Sequence, residues 1–106
     1  MSEEKQIQRR AYFCIIPSMI LEDKTLDSHA KVLYASIAGL HDPEEGGCYA
    51  SNDYFEKLFD WSKRTLQNTL EALVEKGYIE RKIESQEENK KRRRLIPLYD
   101  KHSRKI

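Results

Sequence analysis

"WSKRTLQNTLEALVEKGYIERK", residues 61–82, decides how this chain is read. Ser62 is a natural helix N-cap. After it, Leu66, Leu70, Leu73 and Val74 recur at i, i+4, i+7 and i+8, the spacing of one helix face. The helix is predicted to run to Lys76, with Gly77 as the residue that ends it. "YIERKIE" then changes to a period of two. Ile79, Arg81 and Ile83 fall on one face of a strand, and Tyr78, Glu80 and Lys82 on the other. A helix turns about 100° per residue, so Lys63, Arg64, Gln67, Asn68 and Glu71 fall away from the leucine stripe. One side of the helix is core. The other is either a solvated face or a reading surface.

The flanks supply the context. Before the turn "DWS" lies a shorter helix, "NDYFEKLFD", capped by Ser51, with Asn52 and Asp53 as alternative caps. Tyr54, Phe55, Leu58 and Phe59 form its apolar side. Further upstream, "DSHAKVLYASIAGLHD" is a helix capped by Asp27 or Ser28, with Ala30, Leu33, Tyr34, Ile37 and Leu40 facing inward. Gly39 and His41-Asp42-Pro43 end it. Gly46-Gly47 marks a loop, and "CYAS" is a short strand candidate. "AYFCIIP" is an extended apolar run expected to pack on the core, and Pro17 opens a helical turn. The alternative for that run is an exposed dimer patch of Phe13, Ile15 and Ile16. "SQEENKK" is a polar turn and "RRRLIPLY" a returning strand, with Pro97 at an edge or end. Residues 1–10 read as a flexible leader, 11–99 as the folded domain, and 100–106 as a basic tail expected to fray.

Two short helices joined by a tight turn, followed by a hairpin, make a winged helix-turn-helix. The fold class is mainly α with a small β hairpin (α+β). The chain has 106 residues, room for one such domain. Its net charge of +1 conceals a division. Residues 1–61 hold six Lys and Arg against eleven Asp and Glu, a balance of −5; residues 62–106 hold thirteen against seven, a balance of +6. A basic second half suits a polyanion.

The sites follow from that fold. Ser62, Lys63, Arg64, Gln67 and Asn68 are the candidate base readers, because Arg and Lys reach guanine or phosphate and Gln and Asn pair with adenine. Thr65 is the candidate phosphate contact. On the wing, Lys90, Lys91, Arg92, Arg93 and Arg94 would grip the backbone or minor groove. Five consecutive cations repel one another, and phosphates would neutralise them. Ser51 and Asn52 would place a backbone amide on phosphate.

"IPSMILEDKTLDSHAKVLYASIAGL" and "YASNDYFEKLFDWSKRTLQNTLEALVEKGYIE" resemble the winged helix-turn-helix domains of phage and plasmid replication initiators, and related regulators of bacteria and mobile elements. The shared pattern is an Ile-Pro lead-in at Ile16-Pro17, a helix from Leu26 through Tyr34, Ser51, Ser62 through Thr65, and an exit from Leu73 through Ile79. Near the positions where that pattern has Leu-Ala, this chain has Tyr54-Phe55, so the helix–helix approach is expected to differ. The resemblance implies double-stranded DNA binding in replication or transcription, with a homodimer or a replication or host protein as further partner candidates.

Other chemistries find little support. Gly46-Gly47 lacks the Lys-Ser/Thr of a phosphate loop, and His29, His41 and His102 stand apart from any matched nucleophile. Cys14 and Cys48 follow no zinc spacing and read as thiols in a reducing compartment. No catalytic residue, metal or cofactor is expected. With no signal-peptide or membrane-length apolar run, a cytoplasmic location is expected. The competing function is a winged helix used as a protein-interaction module, through Phe13–Ile16 or the "NDYFEKLFD" helix.

Overall fold

The computed structural model describes residues 13–87 and 90–106, with the backbone alone for 85–87 and 90–91. The leader at 1–10 and the tip of the hairpin lie outside the described residues. The elements run α1 (Ser18–Leu21), α2 (Ser28–Gly39), α3 (Asn52–Phe59), α4 (Lys63–Glu75), β1 (Ile79–Glu87) and β2 (Lys90–Pro97). This is the mainly α, winged helix-turn-helix architecture that the sequence pattern predicts.

Each long helix starts where a short polar side chain can satisfy a first-turn amide. Asp27 accepts from the Ala30 N–H, Ser51 from Tyr54 and Ser62 from Thr65. The ends are equally specific. Gly77 (φ 78) lets Tyr78 N–H reach back to the Leu73 carbonyl at 3.0 Å, closing α4. Asp60 ends α3 in the left-handed region (φ 57), and Trp61 N–H closes on Glu56 at 3.0 Å. Asp60, Trp61 and Ser62 make the turn between α3 and α4, and Asp60 is its left-handed residue.

The core lies among the helices and the base of the hairpin. Leu33, Ile37, Phe55, Leu66, Leu73, Ile79 and Leu95 are all buried. Tyr54 and Phe55 are buried edge to face at 5.4 Å, so aromatic rings fill this part of the core. Phe59 stacks between Phe55 and Trp61, at 6.4 and 4.4 Å, and the His29 ring lies 4.9 Å from Trp61. This row of rings ties the α3–α4 turn to the start of α2. Leu58 departs from expectation and is exposed, because Phe59 fills the apolar contact of that last turn.

β1 and β2 are antiparallel, with Ile79 opposite Pro97, Arg81 opposite Leu95 and Ile83 opposite Arg93. Cys48 adds a bridge to the other side of β2: its N–H donates to the Leu95 carbonyl at 2.8 Å and Leu95 N–H donates back at 3.0 Å. The expected "CYAS" strand is therefore a single bridge. Both backbone groups of Leu95 are taken by Cys48, its neighbour across the ladder on β1 is Arg81, and its side chain is buried, which fastens the wing to the body.

Two expectations at the ends are corrected. Phe13 and Ile15 are not core: Phe13 is 89% exposed and Ile15 46%. The chain enters the core at Pro17 and Ile20 instead. The 100–106 tail, expected to fray, is hydrogen-bonded back on itself. Asp100 accepts from the N–H groups of His102 and Arg104, each at 2.9 Å, and from Arg104 Nε at 3.2 Å. These bonds fold the segment back, Tyr99 bridges Lys105, and Met19 N–H donates to Ser103 Oγ at 3.0 Å.

A polar latch joins the end of α4 to the loop before α2. Asp23 accepts from the Thr25 hydroxyl and the Tyr78 hydroxyl, both at 2.6 Å, with Lys76 Nζ at 3.9 Å. These bonds, the Thr25 hydroxyl foremost, hold the Asp23 carboxyl well below the usual carboxylate range, and the bond to Asp23 pushes Tyr78 up to about 12. A depressed carboxyl stabilises the fold above its ordinary value of about 3.9 and loses that contribution as pH falls through its folded value. Tyr78→Phe removes one of the bonds, so Asp23 moves back toward its ordinary value. The expected result is lower stability at neutral pH and a shallower loss below about pH 4, read from urea midpoints across pH.

The two left-handed positions give opposite expectations. Gly77→Ala should lower stability by about 1–2 kcal/mol, since a side chain there meets no neighbour and pays the backbone penalty alone. Asp60→Gly should raise it by a few tenths to about 1 kcal/mol. Denaturant midpoints of the two variants, moving in opposite directions, check both.

Candidate nucleic-acid interface

Helix α4 buries Leu66, Thr69, Leu70 and Leu73 and leaves Lys63, Arg64, Gln67, Asn68 and Glu71 exposed. Arg64, Asn68 and Glu71 lie one and two turns apart in a single stripe. Its first turn contains no acidic residue, so the positive end of the helix dipole adds to Lys63 and Arg64. Ser62 and Thr65 are locked together: the Ser62 hydroxyl donates to Thr65 Oγ1 at 2.9 Å while accepting the Thr65 N–H at 3.1 Å. Thr65 Oγ1 is an acceptor there, which leaves its own proton to donate outward. The structure thus brings Ser62, Lys63, Arg64, Thr65, Gln67 and Asn68 together on one end of one helix.

The wing is organised differently from a bare row of cations. Successive strand residues alternate in direction, and each described arginine has found a partner inside the protein. The Arg92 guanidinium sits 3.5 Å over the Tyr49 ring. Arg93 turns inward, donating to the Ala50 carbonyl at 2.7 Å and to Asn52 Oδ1, and burial pushes its pKa down. Arg94 pairs with Glu84 at 2.9 Å and packs against Gly47 so closely that a Cβ there would clash with the Arg94 Cγ. The side chains of Lys90 and Lys91 lie outside the described residues.

Ser51 and Asn52 are likewise engaged. Ser51 caps α3, and the Asn52 amide holds Arg93. They sit together at the start of α3, beside the wing rather than on the α4 face. Sequence spacing did not expose this cluster, since Tyr49, Ala50 and Asn52 stand some forty positions from the arginines they hold. No short-range pattern could have paired them.

The helix-turn-helix domain family matches residues 24–79, from the loop before α2 to the first residue of β1. The chain belongs to that family. No curated protein and no solved structure matches it. Within this helix-turn-helix domain, α3 is the bracing helix, α4 the second helix of the pair, and the hairpin a wing beyond the matched segment. Membership points to DNA as the partner class, since such a pair presents its second helix to the major groove. Among the described residues, no helix is long and apolar enough to cross a membrane, and no group of three or more His, Cys, Asp and Glu could hold a metal. Cys14 is exposed and Cys48 buried, both free thiols.

The internal engagement of the arginines has a measurable consequence. Arg93→Ala strips a charged donor from two acceptors and should cost about 2 kcal/mol. Arg92→Ala, losing a contact at a partly exposed ring, should cost about 0.5–1 kcal/mol. Chemical denaturation of both variants, with equal losses, would contradict the inward assignment of Arg93.

Proposed function

We propose that this domain binds double-stranded DNA sequence-specifically, in replication initiation or transcriptional regulation of a phage, plasmid or other mobile element, in the cytoplasm. The observation that carries the reading is the exposed N-terminal half of α4. Lys63, Arg64, Gln67 and Asn68 project there from a helix packed against α3 and the aromatic row behind it. Ser62, Lys63, Arg64, Gln67 and Asn68 address base edges, and Thr65 addresses phosphate. Lys90 and Lys91 act on the backbone. Arg92, Arg93 and Arg94, with Ser51 and Asn52, contribute mainly by holding the wing beside α4, with their outer atoms adding to the positive field.

A second reading has its own observation. Phe13 and Ile15 are exposed on the rim of a groove of about 280 Å³ that also includes Tyr34, Tyr99 and Ile106. None of the outward residues of α4 lines it. This surface favours a protein contact in addition to DNA: a second copy of the chain, or a replication or host protein.

Sites selected from random duplex DNA test the main reading. A palindromic site indicates a dimeric regulator, direct repeats an origin-binding protein. Affinity should fall steeply with salt. Arg64→Ala should cost about 1–3 kcal/mol at its cognate base pair and relax preference there, whereas Lys91→Ala should weaken all sequences alike. Equal losses on random and selected DNA for Arg64→Ala would remove it from the base readers. No enrichment, with salt-insensitive weak binding, would leave the protein-interaction reading.

A further inference from the structure

The outward stripe of α4 contains an acid where a phosphate-facing surface should have none. Glu71 continues the line of Arg64 and Asn68, seven residues and about 10 Å beyond Arg64, which is about three base-pair steps. Left alone, a carboxylate there would repel DNA. It is not alone: Arg81 Nη2, on β1, lies 3.2 Å from Glu71 Oε2. Arg81 is opposite Leu95 on the face of the hairpin that packs toward α4, so the pair spans from the helix to the base of the wing. The Glu71 side chain is half exposed, and among the described residues its second oxygen has no partner. Glu75, one turn further along the same stripe, has no such cation beside it among the described residues.

We propose that Glu71 is a specificity-determining residue that accepts a hydrogen bond from a base amine in the major groove, that of cytosine N4, with Arg81 as the positioning residue that orients its carboxylate. The inference rests on the DNA-binding reading above. An ionised carboxylate can only accept, and the major-groove edge of cytosine offers a donor. Guanine and thymine present acceptors at the corresponding positions and are rejected by charge, and adenine sets its N6 donor beside the N7 acceptor, which repels the second carboxylate oxygen. Arg81 offsets part of the charge of Glu71 toward the phosphates, holds one oxygen and leaves the other without a partner among the described residues. Discrimination in this arrangement comes from refusal as well as attraction.

The test is selection of sites from random duplex DNA with the full chain, followed by titration of single-base variants of the selected site. Wild type is expected to require cytosine at one position about three base pairs from the position that Arg64→Ala relaxes. Glu71→Ala is expected to lose that preference by about tenfold, keep preference elsewhere, and bind random duplex as well as wild type or better, since a negative charge is gone. Glu71→Gln, which retains shape but can both donate and accept, is expected to shift the preference toward adenine. Arg81→Met is expected to weaken the same position by less than Glu71→Ala. A strut between helix and wing would act otherwise: both Glu71 variants would weaken every position together, and that result overturns the proposal. So does an unchanged preference at every position. If wild type enriches no site, the DNA-binding reading itself falls, and the role of Glu71 with it. Thermal midpoints of both Glu71 variants, expected within a few degrees of wild type, separate loss of reading from loss of fold.

Discussion

Helix α4 must bury Leu66, Leu70 and Leu73 completely while its opposite face stays in water, and the rest of the fold answers to that requirement. Thirteen residues make fewer than four turns, too few to be stable alone. Its stability comes from what packs on the leucine side. α3 covers part of that side, α2 another part, and β1 leaves directly from its end. A core this small has little redundancy. The aromatic row from Phe55 to His29 therefore matters beyond its area, because it fixes the angle at which α3 meets α4 across the single left-handed residue Asp60.

The wing is constrained from the same centre. An isolated two-stranded hairpin is marginal in water. Here β2 is flanked on both edges at Leu95, by β1 and by Cys48, and of its apolar residues Leu95 and Pro97 are buried and Ile96 half-buried. Arg93 reaches across to Ala50 and Asn52 at the start of α3. The result is a triangle: α3 braces α4, α4 leads into β1, and β2 returns to α3. A displacement of the wing would have to break charged hydrogen bonds as well as apolar contacts. α4 and the wing are thus joined by direct contacts, and under the proposed DNA-binding function little ordering cost would remain to be met on binding.

The helices were legible because their signals are local. Asp27, Ser51 and Ser62 stand where a cap must stand, Gly77 where a left-handed stop is needed, and the leucines repeat at the helical period. The exposed polar set on α4 followed from the same period. What sequence could not supply was the partner of each charged residue. Nothing near Arg93 names Asn52, and nothing near Asp100 shows that its carboxylate would gather the tail into a turn. Phe13 and Ile15 misled for a related reason. An apolar run states what a segment would gain by burial, but Pro17 and Ile20 already occupy the available core, and the residues before them are left outside.

The arginines show most directly why a charge run cannot be read as a surface. On a coil, five consecutive cations could all face one polyanion. On a strand, the period of two divides them. Arg93 is sent to the inner face with Leu95, and Arg92 and Arg94 to the outer face, where Tyr49 and Glu84 meet them. The inward cation would be costly without acceptors, and the loop before α3 provides them as the Ala50 carbonyl and the Asn52 amide oxygen. The run therefore does two physical jobs at once. It raises the potential over the basic half of the molecule, which acts at a distance and does not depend on which way each side chain points. It also fastens the wing, which depends entirely on direction. Composition reports the first of these, and only the strand's alternation, set against the loop that meets it, reports the second.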